Sequence, residues 1–306
     1  MAISAQDVKN LKERTNCGMM DCKRALEETN GDVEAAIKLL RERGLAKAAK
    51  KSGRIAAEGL VAVKIDDEKK VGVVVEVNSE TDFAAKAERF IEFVNIVADT
   101  VLANDAADVE TLKSLTPPNQ SETLGEILTE RIATIGENIQ IRRFKKFTGD
   151  LYSYLHDGGG SIIGTIILVK SDDNNAPEVK QAAKDLLLQI TASAPQYVRQ
   201  SEVPAEVISN EKEIQLGLAR KENEESKKPK PEAVLVKIVD GRMSKFAAEI
   251  CLLDQPFVKD PSKTVEQYIK EVGHGFDVEA FTRYEKGEGI QKKEDNFADE
   301  VASMVK

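Results

Sequence analysis

The sequence predicts an α+β protein built from several small units, on three observations. A pair of strands joined by a tight turn and followed by a helix occurs twice, first at 60–65 and 71–77 with a helix over 83–103, then at 151–156 and 161–169 with a helix over 177–192. Residues 1–44 carry three short helical patterns with their own caps and stops. Residues 200–245 are a charged helical run broken in the middle by Lys227, Lys228, Pro229, Lys230 and Pro231. A hairpin followed by a helix, twice over, suggests two related α+β subdomains.

Ser4 is placed to cap a first helix that carries Val8 and Leu11 on one face. Met20, Cys22, Ala25 and Leu26 lie on a second helix, which Asn30-Gly31 should stop. Asp32 should cap a third, with Val33, Ala36, Ile37 and Leu40 inward and Gly44 as its stop. So small a bundle has little core and much surface, which suits docking better than chemistry. In the first hairpin Val71, Val73, Val75 and Val77 stand two apart, as on one face of a half-buried strand. From Phe83 the apolar period changes to three and four through Ala87, Phe90, Val94, Val97 and Val101. After Pro117-Pro118, a helix with Leu124, Ile127, Leu128, Ile132 and Ile135 leads into a strand at 138–147. The second hairpin turns through Asp157 and three glycines, and Leu186, Leu187 and Ile190 should face inward from its helix. Beyond Pro204, Val207, Ile214 and Leu218 are seven and four apart, as in the apolar stripe of a helical arm. Residues 233–243 fit a returning helix, while Val234, Val236, Ile238 and Val239 leave a strand open. A strand-like stretch at 246–253, a helix capped by Ser262, a strand at 276–285 and an amphipathic helix through Phe297, Val301 and Met304 complete the chain.

The 306 residues carry 44 Lys and Arg against 53 Asp and Glu, a net charge of −9 that argues against a broad phosphate-binding surface. The local basic group Lys47, Lys50, Lys51 and Arg54 reads as a solvated linker. Cys17, Cys22 and Cys251 form no Cys-x-x-Cys pair, and free thiols suit a reducing cytoplasm. The N-terminus lacks a basic stretch leading into an apolar core, and no apolar run reaches the ~20 residues that span a bilayer. No G-x-x-x-x-G-K-[ST] loop is present, Gly158, Gly159, Gly160 and Gly164 make no dinucleotide fingerprint, and no H-E-x-x-H occurs. No cofactor, resident metal, nucleic acid or catalytic constellation is therefore expected.

Asp82 and Phe83 stand together where the valine strand gives way to a helix. Two readings are open there. Asp82 can favour the positive end of the helix dipole while Phe83 tucks into the core, or both can project into another molecule.

At these residues the chain resembles the bacterial elongation factor Ts family, the guanine-nucleotide exchange factors of elongation factor Tu. The stretch from Arg14 through Leu26 is similar to that family's first signature, and Thr81-Asp-Phe-Ala-Ala-Lys86 to its second. The run from Ile135 to Arg143 resembles a third, and Gly241-Arg-Met, Gln255-Pro-Phe-Val258 and Pro261-Ser-Lys-Thr264 fit the C-terminal half. Two departures stand out: Ala84 where members often carry valine, and a loop at 157–160 that is longer than in some members.

The resemblance implies a ubiquitin-associated-like three-helix domain over 1–54 and a first core subdomain over 55–148. It implies a related second subdomain over 149–199 and 246–286, a dimerising helical hairpin over 200–245, and a C-terminal module over 287–306. It also implies a cytoplasmic, non-enzymatic factor that binds elongation factor Tu in its GDP form and promotes GDP release. Thr81, Asp82, Phe83 and Ala84 would dislodge the partner's magnesium. Met20, Lys23, Ile135, Gly136, Asn138 and His156 would hold the partner. A dimerising scaffold with no exchange activity is the alternative, and the Thr81-Asp82-Phe83 segment distinguishes the two.

Overall fold

The computed structural model describes residues 3–15, 17–226 and 229–291. Helices α1 (Ala5–Thr15), α2 (Met19–Glu28) and α3 (Val33–Lys51) pack around Val8, Leu11, Cys22, Ala25, Leu26, Ala36 and Leu40. Ser4 and Asp7 cap α1 reciprocally, with the Asp7 amide donating to Ser4 Oγ (3.2 Å) and the Ser4 amide to Asp7 Oδ2 (3.0 Å). Asp32 caps α3 by accepting from the Ala35 amide (3.0 Å). Gly44 does not end α3, which runs seven residues further to Lys51. Gly44 is buried where α3 meets α7 (Leu124–Ile135): a Cβ there would make ordinary contact with Thr129 Cγ2 (3.6 Å) and Ala133 Cβ (3.8 Å).

Strands β1 (Glu58–Asp66), β2 (Val71–Ser79) and β3 (Gln140–Thr148) form an antiparallel sheet in the order β1-β2-β3. A second antiparallel sheet has the order β4-β5-β8, from β4 (Asp150–Gly158), β5 (Ser161–Lys170) and β8 (Asp277–Glu285). The two sheets pack face to face through Val61, Val74 and Ile166. The outer face of the first is covered by α5 (Glu88–Ala103) and α7, whose Phe90, Phe93, Val97, Leu124 and Ile132 meet Val73, Val75 and Val77. The outer face of the second is covered by α8 (Pro177–Ser193) and α11 (Val265–Val272). The core is thus four layers: helix, sheet, sheet, helix.

This layering corrects the reading of β2 as half-buried. From Gly72 to Ser79 every residue is buried, because the face opposite the valines meets the second sheet instead of water. Close approach of the sheets depends on two glycines. A Cβ on Gly164 would lie 2.5 Å from Val61 Cγ1 and 2.9 Å from Val63 Cγ2, and one on Gly72 would lie 2.7 Å from Ile166 Cδ1. Gly164→Ala is expected to cost about 1–3 kcal/mol, as for an overpacked core, read as a lowered denaturant midpoint. A midpoint equal to the parent's would show that the sheets can part without penalty.

Three further expectations change, and one left open between helix and strand is settled as helix. The single helix over 83–103 is two: α4 (Asp82–Ala85) is one short turn, and Ala87, in an extended conformation, restarts the chain as α5. After α9 (Ala205–Glu224), residues 233–243 are helical within α10 (Glu232–Ile250), which continues through part of the stretch read as a strand at 246–253. The remainder is a 3-10 turn over Leu252–Asp254, preceded by a bridge from Cys251 to Tyr197. Thr264, not Ser262, caps α11, through a capping box with Gln267. The short α6 (Val109–Ser114), β6 (Pro256–Phe257) and β7 (Asp260–Thr264) carried no expectation. The helix through Phe297, Val301 and Met304 lies outside the described residues, as does most of the 287–306 module. No helix among the described residues is long and apolar enough to cross a membrane.

Candidate docking site

The corner between β2 and α4 is built by side chains that grip backbone. Thr81 caps α4, its Oγ1 accepting from the Ala84 amide (3.1 Å). Glu137, just past α7, accepts from the Thr81 amide (3.0 Å) and the Thr81 hydroxyl (2.6 Å). In return Glu80 accepts from the Asn138 amide (2.6 Å), with Arg54 Nη1 3.4 Å away. The two corners of the chain, 80–81 and 137–138, are therefore cross-tied by reciprocal carboxylate-to-amide bonds, the strong charge-assisted kind. Gly136 makes the exchange possible: it ends α7 with φ of 88°, a conformation in which a side chain is strained.

On this braced corner Phe83 points away from the protein. Its relative exposure is 82%, the highest among the exposed large hydrophobic residues, while Ala84 and Ala85 beneath it are buried. The tucked-in reading of Phe83 is thus overturned. Asp82 also faces solvent and binds Lys86 Nζ at 2.7 Å, one helical turn on. That hydrogen bond holds its carboxyl below the usual aspartate range, so it is ionised at neutral pH. Between Phe83 and Ile135 lies a shallow depression that also involves Ala84, Ala87 and Thr134.

The structure brings Thr81, Asp82, Phe83, Ala84, Ile135, Gly136 and Asn138 into one region. Their parts differ, however. Ile135 is half-buried and Gly136 exposed, whereas Asn138 is buried, its Nδ2 donating to the Arg54 carbonyl at 2.7 Å. Met20 and Lys23 lie instead on α2, where Met19 and Met20 are exposed and Lys23 faces Glu27 at 3.8 Å. His156 stands on the edge strand β4, half-buried, with Tyr154 Oη 3.3 Å from its Nδ1. It continues the face on which Tyr152 and Tyr154 pack beside α8.

Sequence reasoning passed over Glu137 and the part played by Glu80. It also passed over Glu76, a fully buried carboxylate on β2 that meets Arg142 Nη1 (2.9 Å), Arg143 Nε (2.5 Å) and the Gly287 amide (2.8 Å). The signal for Glu76 was present as a charge in the middle of a valine strand. Nothing local marks Glu137.

An exposed aromatic on a braced corner is the kind of feature a protein-docking surface presents. Comparison with known proteins places the chain in a family. The family model described as elongation factor Ts matches residues 80–288. The elongation factor Ts of Halothermothrix orenii is 44% identical over 308 aligned positions, covering 100% of this chain and 99% of that protein. Those of Clostridium botulinum (strain Eklund 17B) and Clostridioides difficile are each 46% identical, over 99% of both chains. The chain belongs to the elongation factor Ts family. It is a translation elongation factor and not an enzyme.

Proposed function

We propose that this chain is the guanine-nucleotide exchange factor of elongation factor Tu. It binds the GDP form, displaces magnesium and frees the site for GTP. The observation that carries the reading is Phe83, 82% exposed on a corner fixed by the Glu137 and Glu80 cross-ties. A large aromatic whose backbone is fixed before binding adds little ordering cost from the chain around it, which is what an interface anchor requires.

In a GTPase, magnesium is octahedral and bridges protein oxygens to phosphate, and backbone amides at a helix N-terminus hold the phosphates. The factor need only bind a conformation in which those groups are displaced. Phe83 wedges between helices of the partner's GTPase domain and Asp82 bonds beside it, with Thr81 and Ala84 shaping the base. Ile135 completes the depression next to Phe83, while Gly136 and Asn138 keep the corner in place. Met20 and Lys23 on α2 hold the GTPase domain, and His156 on the far sheet grips the partner's third domain. Linkage then requires nucleotide and factor to weaken each other's binding equally. The test is stopped-flow release of fluorescent GDP from elongation factor Tu with and without this protein. Acceleration is the expected result, and an unchanged rate at saturating protein would overturn the reading.

The same proposal treats residues 1–54 as a ubiquitin-associated-like docking module in a cytoplasmic factor. It treats 55–148 and 149–199 with the later strands as related subdomains. The arm of α9 and α10 is read as the dimerising hairpin, extended from 245 to the end of α10 at Ile250. Ile214, Leu218, Val234 and Val236 stand exposed along it. Excising 205–240 with a short Gly/Ser bridge is expected to preserve exchange and weaken self-association. An unchanged oligomer in sedimentation would remove the arm from dimerisation. Loss of exchange from a folded protein would give it a second task.

A further inference from the structure

The start of α2 places two thiols at a pair of positions that normally hold apolar side chains in contact. Gly18 is the N-cap of α2, so Cys17 precedes the cap and Cys22 is the fourth residue of the helix. Side chains at these two positions commonly pack together as a hydrophobic staple, which fixes the angle at which the chain enters the helix. Here both sides of the staple are cysteine. Cys22 is fully buried, and Cys17 packs half-buried against the cluster that contains it.

The contacts agree. The Thr15 hydroxyl donates its one proton to the Leu11 carbonyl (2.8 Å) and accepts from the Cys17 amide (3.4 Å). Cys22 Sγ lies 3.7 Å from that same hydroxyl oxygen and 3.8 Å from the Cys17 carbonyl. With the hydroxyl proton already used, the single proton of the Cys22 thiol is shared between these two acceptors.

We propose that Cys17 and Cys22 form a reversible disulfide across the start of α2, made by exchange with a low-molecular-weight disulfide. The Cys17 thiolate, the more accessible, attacks glutathione disulfide. One S–S bond breaks, one glutathione thiolate leaves, and a Cys17–glutathione mixed disulfide remains. The Cys22 thiolate then attacks the Cys17 sulfur and expels the second glutathione. The dithiol is oxidised to one disulfide while one glutathione disulfide is reduced to two thiols, and the two thiol protons pass to the glutathione thiolates or to solvent. Burial pushes both protein thiols above the usual range, so the thiolate that starts the exchange is scarce at neutral pH. Bridging should therefore quicken by about tenfold per pH unit until the attacking thiol titrates. The third thiol does not compete: Cys251 is fully buried at the base of the hairpin, with its thiol pushed up to about 11.

This inference goes beyond the exchange reading and stands or falls separately. Its test uses the intact chain and glutathione disulfide, which spares the exposed Met19 and Met20 that peroxide would oxidise. Trypsin cuts after Arg14 and Lys23, so both cysteines fall in one peptide, 15–23. After acid quench and alkylation, the expected result is that peptide lighter by two hydrogen atoms, unalkylated, and restored by dithiothreitol. Cys22→Ser should trap the mixed disulfide on Cys17 instead, with an unchanged circular dichroism spectrum showing that it folds. A wild-type peptide that keeps glutathione without closing would overturn the proposal. So would a cross-link between chains, or two thiols that stay free when the unfolded protein reacts.

Discussion

Phe83→Ala is expected to leave the denaturant midpoint almost where it was and to weaken engagement of the open partner state roughly 30- to 1,000-fold. The first half follows from exposure. At 82% exposed, the ring has almost no packing to lose, and surface substitutions of this kind stay within about 0.5 kcal/mol. The second follows from the usual weight of a buried aromatic anchor at an interface, about 2–4 kcal/mol. Asp82→Ala should likewise change stability little, because Thr81 and not Asp82 makes the cap of α4. If magnesium displacement is the affected step, raising magnesium should deepen both defects. The measurement is a pair for each variant, a urea midpoint and a GDP-release rate across magnesium concentrations. Wild-type release from a folded Phe83→Ala protein would remove this segment from the mechanism.

That prediction could not be stated in one direction from sequence, because the apolar period of the helix after β2 ran through Phe83 without a break. The interruption at Lys86 and Ala87 that turns Phe83 outward is made by backbone geometry, with Ala87 extended between two helical segments. The elements with local signals were legible. The strands of both hairpins follow from β-formers flanking polar turns, and the caps of α1 and α3 from Ser4 and Asp32. Misreadings came where a residue served packing across the fold. Gly44 looks like a helix stop and is a contact point with α7. At 233–243 the β-branched residues left helix and strand both open, and the burial of Leu235 and Val239 in α10 is what decides for helix. The cross-ties were the least legible part of the site. Glu137 and Thr81 are 56 residues apart, and only tertiary structure makes them neighbours.

Glu76→Ala is expected to lower stability by about 3–5 kcal/mol, the cost of removing one partner from a buried ion pair. The size rests on how much converges on this carboxylate. Consecutive strand residues ordinarily point to opposite faces, yet Arg142 and Arg143 both reach Glu76. They can do so because the register between β2 and β3 shifts at Glu76 and Val77, so that the arginine pair opposes one residue across a bulge. Arg143 also stacks over Tyr284, 4.2 Å from the ring centroid, and donates to the Glu285 carbonyl and the Glu288 carboxylate. Asn78 Nδ2 and the Gly287 amide complete the shell of Glu76. This cluster joins the first sheet to the turn after β8, and an ion pair from Lys286 to Glu58 (2.5 Å) lies beside it. Alanine at 76 would leave two guanidinium groups and a buried amide short of their acceptor. Glu76→Gln keeps the shape and one acceptor oxygen but turns an N–H2 group toward an arginine, so its loss should fall between alanine and the parent. Urea midpoints for the three proteins decide the point. A loss below about 1 kcal/mol for alanine would mean that solvent reaches the arginines and that the sheets are held by their apolar contact alone.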